Sequence, residues 1–173
     1  NAKLTIENNG TSDVEEGLQI GFTIDEMVVR VRNLLSSIGL VNDFASIVYV
    51  VGHGASSVNN THYAGYDCGA CSGRPGSVNA RVISFMANHP KVREILKSEG
   101  IEIPSSTQFI GALHDTTRDE IVFYDLERLT PENKQRHEQN EESFRKALDA
   151  NAKERSRRFE SIDTRMSAEE IHA

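Results

Sequence analysis

The apolar positions of this chain change period repeatedly, and each change marks an element. Met27, Val28, Val31, Leu34, Leu35 and Ile38 form one stripe of a 3.6-residue period. Thr23 precedes the stripe, Glu26 stands three residues on as in a capping box, and Gly39 follows. The spacing predicts an amphipathic helix over 24–38. Phe44-Ala45 then leads into Ser46-Ile47-Val48-Tyr49-Val50-Val51, a nearly continuous β-branched run. Such runs read as strands buried on both faces, as in parallel α/β sheets. Gly52-His53-Gly54 ends the run, and in open α/β sheets sites form beyond the carboxyl ends of strands. Residues 55–77 carry no period. Structureless loops of that length are uncommon in compact domains unless they are functional.

The remaining pattern is scaffold. Ser77 or Asn79 caps a helix whose apolar face is Val82, Ile83, Phe85 and Met86; Pro90 then breaks or restarts the chain. Residues 91–99 read as a second short helix stopped by Gly100. Thr107–Leu113 and Asp119–Asp125 read as strands, and the polar link between them fits a hairpin. Thr130-Pro131 opens a long charged helix from 131 to about 160. Its thin stripe is Phe144, Leu148, Ala152, Phe159 and Ile162, interrupted by Arg155. Residues 3–22 read as an irregular lead-in with a short strand at Leu4–Ile6 and a turn at Asn8-Asn9-Gly10. The closing DTRMSAEEIHA is weakly patterned and expected to fray. The fold class is α/β, a mostly parallel or mixed sheet flanked by helices. The expected organisation is 1–2 as a tag remnant, since Asn1-Ala2 resembles the scar of tag cleavage. Residues 3–130 follow as an α/β site domain, and 131–173 as the charged helix and its tail.

Composition narrows the function. The net charge of -7, with no Lys/Arg block, argues against a nucleic-acid partner, which needs a basic face for phosphates. No apolar run approaches the length of a membrane-spanning helix. Two cysteines three residues apart do not make a secreted disulfide framework, so reduced, intracellular thiols are expected.

Those two cysteines carry the candidate chemistry. Cys68-Gly69-Ala70-Cys71 is a C-x2-C, and His53 precedes Cys68 by fifteen residues. Thiolate and imidazole are zinc ligands, usually four in a tetrahedral array. Glycines at 65, 69, 73 and 76 let the loop fold back over the strand end. Spacing alone leaves three readings open: two ordinary thiols, a redox pair, or part of a metal site. His114 ends a strand and reads first as a core histidine, second as a neighbour of the same crevice. His62 and His89 read as surface residues, and His137 and His172 carry no signal. Ser56-Ser57 does not make a nucleophile elbow, and no phosphate-cradling glycine motif is present. The 131–160 charge run reads as a solvated face before a docking surface.

At GHGASSVNN, DCGACSGRPGSVNAR and VREILKSEGIEIPSSTQFIGALHDTTRDE the sequence resembles the DabA family, large soluble subunits of a bacterial inorganic-carbon accumulation complex. The resemblance runs over roughly residues 21–125. It implies part of a β-carbonic-anhydrase-like domain with a Zn2+ cofactor. One half of that site is a Cys-x-Asp-x-Arg segment, which this sequence lacks; the other half falls on His53 and Cys68 as metal ligands. Cys71 lies in the same motif in a supporting or structural role. The resemblance further implies CO2 and bicarbonate as ligands, with CO2 hydration in the full-length protein. It also implies a membrane partner related to proton-translocating antiporter subunits, and a peripheral place on the cytoplasmic face of the cell membrane. On this view the chain is a C-terminal portion of the catalytic-like domain, holds no catalytic residue of its own and does not hydrate CO2 alone. A scaffold or regulatory module with a structural zinc, and a thiol redox protein, are the competing classes.

Overall fold

The computed structural model describes residues 6–8, 14–56, 67–68, 71–163 and 165–172. The order of elements is β1 (Val14–Glu15), β2 (Leu18–Gln19), α1 (Ile24–Ser37), β3 (Ile47–Gly54), α2 (Ser77–Asn88), α3 (Pro90–Ser98), β4 (Gln108–Asp115), β5 (Glu120–Phe123), a 3-10 turn at Leu126–Arg128, α4 (Pro131–Ser156) and α5 (Ala168–His172). The architecture is mixed α/β, as the periodicity predicts. Two compact units divide it: Asn1–Val50 with Asn79–Gly111, and Val51–Val78 with Ala112–Ala173.

In the first unit α1 starts at its capping box. Thr23 N–H donates to Glu26 Oε2 at 2.8 Å, and Glu26 N–H donates back to Thr23 Oγ1 at 3.3 Å. The buried face is Met27, Val28, Val31 and Leu35, and Gly39 ends the helix at φ +73°. Val92 and Leu96 of α3 join the same core, with Met86, Ile101, Ile103 and Phe109. Arg93 pins this unit by donating to the carbonyls of Ala87 and Thr107, each at 2.8 Å. Asn88 pins it too, exchanging hydrogen bonds with the backbone of Phe109.

The larger sheet has the order β3-β4-β5. Gln108 N–H donates to Ser46 O and Thr116 N–H to Gly54 O, both at 2.9 Å. Both strands advance eight residues between these bonds, so they run parallel with unbroken register. β4 and β5 pair antiparallel, Ala112 opposite Phe123 and Asp115 opposite Glu120. The sheet is therefore mixed, and the hairpin expectation holds.

In the second unit α4 lays a few residues on β5. His137 is buried, edge-on to Phe123 with ring centroids 4.7 Å apart, and Phe144 stands 5.3 Å from the same ring. Burial lowers the His137 pKa, against the opposing pull of Glu141 and Glu138.

Five expectations need correction. The strand expected to stop at Val51 continues through Gly52 and His53 to Gly54, because the neighbouring strand keeps hydrogen-bonding to it. His137 carries structure where its sequence context showed none: charged neighbours hide a residue on the one buried face of α4. His89 is half-buried, 3.4 Å from Glu7 Oε2 and tilted against Phe85 with ring centroids 6.3 Å apart, because the chain turns there to start α3 at Pro90. The tail expected to fray carries α5. Ser167 Oγ accepts from Glu170 N–H at 3.2 Å, while Ser167 N–H donates to Glu170 Oε2 at 2.7 Å, a second capping box. The long helix ends at Ser156, short of the expected 160, and Phe159 beyond it is 55% exposed. Of the strand expected at Leu4–Ile6, residues 4 and 5 lie outside the described residues, as do Asn9 and Gly10 of the turn. Glu7 instead bridges Phe22. No helix among the described residues is long and apolar enough to cross a membrane.

Candidate metal centre

β3 is an edge strand, and its carboxyl end carries His53 and receives the loop that carries Cys68. Successive peptide groups of a strand point to opposite sides. Gly54 O faces β4, where Thr116 N–H bonds it, so His53 O and Ala55 N–H face the open side. A neighbouring strand would use that pair of groups, and the loop takes them instead. Gly76 N–H donates to His53 O at 2.8 Å, and Ala55 N–H donates to the Asp67 carboxylate at 2.8 Å. A loop thus caps the edge of β3 with one backbone amide and one side chain.

Glycine makes the approach possible. A Cβ on Gly52 would stand 2.5 Å from the carbonyl of Gly76, and one on Gly76 would stand 3.1 Å from the His53 backbone. The loop is tied internally as well. Cys68 bridges Arg74 antiparallel, and Cys68 O accepts from the N–H groups of Cys71 and Gly73 at 3.0 and 3.1 Å. This turn sets Cys71 Sγ 2.6 Å from Cys68 Sγ; both residues are half-buried, whereas His53 is exposed. His53 and Cys68 are therefore held to the same strand end by Gly76 and Asp67.

The register adds a neighbour. With Thr116 N–H on Gly54 O, Thr116 sits beside Ala55, and His114 beside His53 on the same face of the sheet. His114 Nε2 is 3.6 Å from Asp119 Oδ1, too far for a hydrogen bond. Asp119 is buried and already satisfied, by Arg155 Nη1 at 2.6 Å and Asn151 Nδ2 at 2.7 Å. His114 thus lines the same strand ends as His53 without being a fully buried core residue.

On the other face Asp115 accepts from Ser56 N–H at 3.2 Å, the Ser56 hydroxyl, Thr117 N–H at 3.1 Å and the Thr117 hydroxyl at 2.7 Å. Burial pushes this carboxyl up, but the hydrogen bonds from Ser56 and Thr117 outweigh it and bring it down to about 2. The cluster locks residue 56 to the end of β4, just beyond His53.

Among the described residues no three His, Cys, Asp or Glu side chains are grouped to hold a metal. The donor types, one imidazole and a thiol pair, are ones that zinc takes. His62 lies outside the described residues. Sequence reasoning missed Asp67 and Asp115. Asp67 had a faint signal, an acid beside the first loop cysteine. Asp115 had one too, between hydroxyl-bearing residues at a strand end.

The family model described as "Probable inorganic carbon transporter subunit DabA" matches residues 1–173. The chain belongs to the DabA family. The match runs through α4 and α5, past residue 125 where the resemblance had thinned. The probable inorganic carbon transporter subunit DabA of Azotobacter vinelandii is 66% identical over 171 residues, covering 99% of this chain and 20% of that protein. The protein of the same name from Nitrosospira multiformis is 63% identical over 175 residues, covering 99% of this chain and 19% of its own length. The subunit DabA 2 of Rhodopirellula baltica is 37% identical over 168 residues, covering 97% and 16%. The chain spans about a fifth of the length of the first two of these relatives. No solved structure matches it.

Proposed function

We propose that this chain is part of an inorganic carbon transporter subunit and contributes His53 and Cys68 to a zinc centre where CO2 is hydrated in the full-length polypeptide. The observation that carries the reading is the loop sealed onto the edge of β3. Its bonds to His53 O and Ala55 N–H bring an imidazole-bearing strand end and a thiol-bearing loop together. Bound zinc would supply Lewis acidity, activating water at neutral pH. This chain's own residues hold and orient the ligands: Gly76 and Asp67 fix the loop, and Asp115 fixes the strand end. The rest of the shell comes from a Cys-x-Asp-x-Arg segment outside this sequence. The word "subunit" in the names of the relatives supports an assembly. We assign its partner as a membrane protein of the proton-translocating antiporter type, with this chain peripheral on the cytoplasmic face.

Stopped-flow CO2 hydration tests the reading. The full-length polypeptide with its partner should lose at least ~100-fold of its rate in His53→Ala and in Cys68→Ser, and the isolated chain should show none. A zinc-dependent rate from the isolated chain would contradict the split site.

The 2.6 Å approach of Cys71 Sγ to Cys68 Sγ favours one other reading, a dithiol that cycles with a disulfide. In that case Cys71→Ser abolishes function as fully as Cys68→Ser while zinc content is unchanged.

A further inference from the structure

Asp67 is 7% exposed, and among the described residues one of its two carboxylate oxygens has a hydrogen-bond donor. Oδ1 accepts from Ala55 N–H at 2.8 Å. Oδ2 is shut off from solvent and has no hydrogen-bond partner among the described residues. A buried carboxylate oxygen left without a donor is costly, and native structures rarely keep one unless something arrives to satisfy it. Asp67 also joins the two ligand-bearing stretches directly. It adjoins Cys68 in the chain, and the amide it grips lies two residues beyond His53, on the edge where His53 O is held by Gly76.

We propose that Asp67 is the positioning residue of this centre: Oδ1 straps the Cys68 loop to the end of β3, and Oδ2 accepts the N–H of the non-ligating imidazole nitrogen of His53 when that ring binds metal. This rests on the zinc reading of His53 and Cys68. An imidazole that ligates a metal through one nitrogen has one N–H left, and in zinc sites a carboxylate, carbonyl or water commonly accepts it, fixing tautomer and ring orientation. His53 stands two residues before Ala55 in an extended stretch, so the carboxylate bonded to Ala55 N–H lies one strand repeat from the residue that carries the imidazole. The strap holds the carboxylate at residue 55 regardless of metal, which makes the acceptor preorganised rather than recruited. Asp67 touches neither substrate nor metal on this account and acts through His53.

The test separates the two oxygens in the full-length polypeptide. Asp67→Asn keeps a carbonyl oxygen for Ala55 N–H and replaces the second acceptor with a donor. Zinc affinity, read by competition with a chromophoric chelator, should fall about 10- to 100-fold. The ligand-field bands of the cobalt-substituted protein should shift, with the melting temperature of the metal-free protein unchanged. If Asp67→Asn does not fold, Asp67→Glu carries the test, since it keeps a carboxylate but moves it by one methylene; the same fall and band shift are expected. Wild-type affinity and an unchanged cobalt spectrum in the folded variant, with metal lost from His53→Ala, would overturn the role of Asp67 and leave the zinc reading standing. Metal retained in His53→Ala as well would overturn both.

Discussion

Gly52 and Gly76 meet backbone to backbone, so close that a Cβ on Gly52 would lie 2.5 Å from the carbonyl carbon and oxygen of Gly76. No side chain can relieve that clash by changing rotamer. Gly52→Ala is expected to lift the loop off the edge of β3, at about 1–3 kcal/mol. Thermal denaturation would read the loss. Limited proteolysis should show faster cutting between residues 55 and 76. A variant as stable and as resistant as wild type would mean that the contact is not rigid.

Asp115 makes stability depend on acid. Its folded pKa of about 2 lies below the ordinary value of 3.8. A depressed carboxyl contributes stability above its unfolded pKa and loses it as the pH falls toward the folded one. The contribution is therefore complete above about pH 5 and lost between roughly pH 4 and 2. Its size is on the order of 1–2 kcal/mol, since Ser56 is exposed and solvent screens part of the interaction. Asp115→Asn should flatten the stability profile in that window. An unchanged acid limb would show that the Ser56 and Thr117 bonds do not hold the ionised form.

Arg155 interrupts the apolar stripe of α4 because it has a partner. Asp119 is 5% exposed in its side chain and accepts from Arg155 at 2.6 Å, while Arg155 itself is 40% exposed. Arg155→Met strands a buried carboxylate that keeps the hydrogen bond from Asn151. About 1–3 kcal/mol should be lost at neutral pH, less than for a fully buried pair because solvent reaches the guanidinium. Adding Asp119→Asn to that variant should recover part of the loss. Failure to recover any would place the role of Arg155 at its other bond, to Thr116 O at 2.6 Å.

Local pattern made most of the fold legible. The Thr23–Glu26 capping box, the β-branched run from Ser46 and the Thr130-Pro131 start each depend on a few neighbouring residues, and each forms as spelled out. What stayed hidden depends on pairing across the chain. Gly52 and His53 look like a strand terminator until β4 and the loop are seen to bond both edges. Asp67 looks like loop polarity until it takes the place of a strand at Ala55. His137 looks solvated until β5 presents Phe123 to it. The candidate donors were legible, because a C-x2-C and a histidine at a strand end are visible as residue types. The residues that hold them were not, since an aspartate in a polar loop has no signature of its own.

On the proposed zinc reading, His53 and Cys68 are ligands to one ion whose other ligands lie outside this chain. Zinc content of the purified full-length polypeptide, measured by elemental analysis beside His53→Ala and Cys68→Ser, tests it most directly. The account predicts stoichiometric zinc in the wild type and loss from both variants, with Cys71→Ser retaining it. Zinc retained at wild-type content in His53→Ala and Cys68→Ser would contradict it.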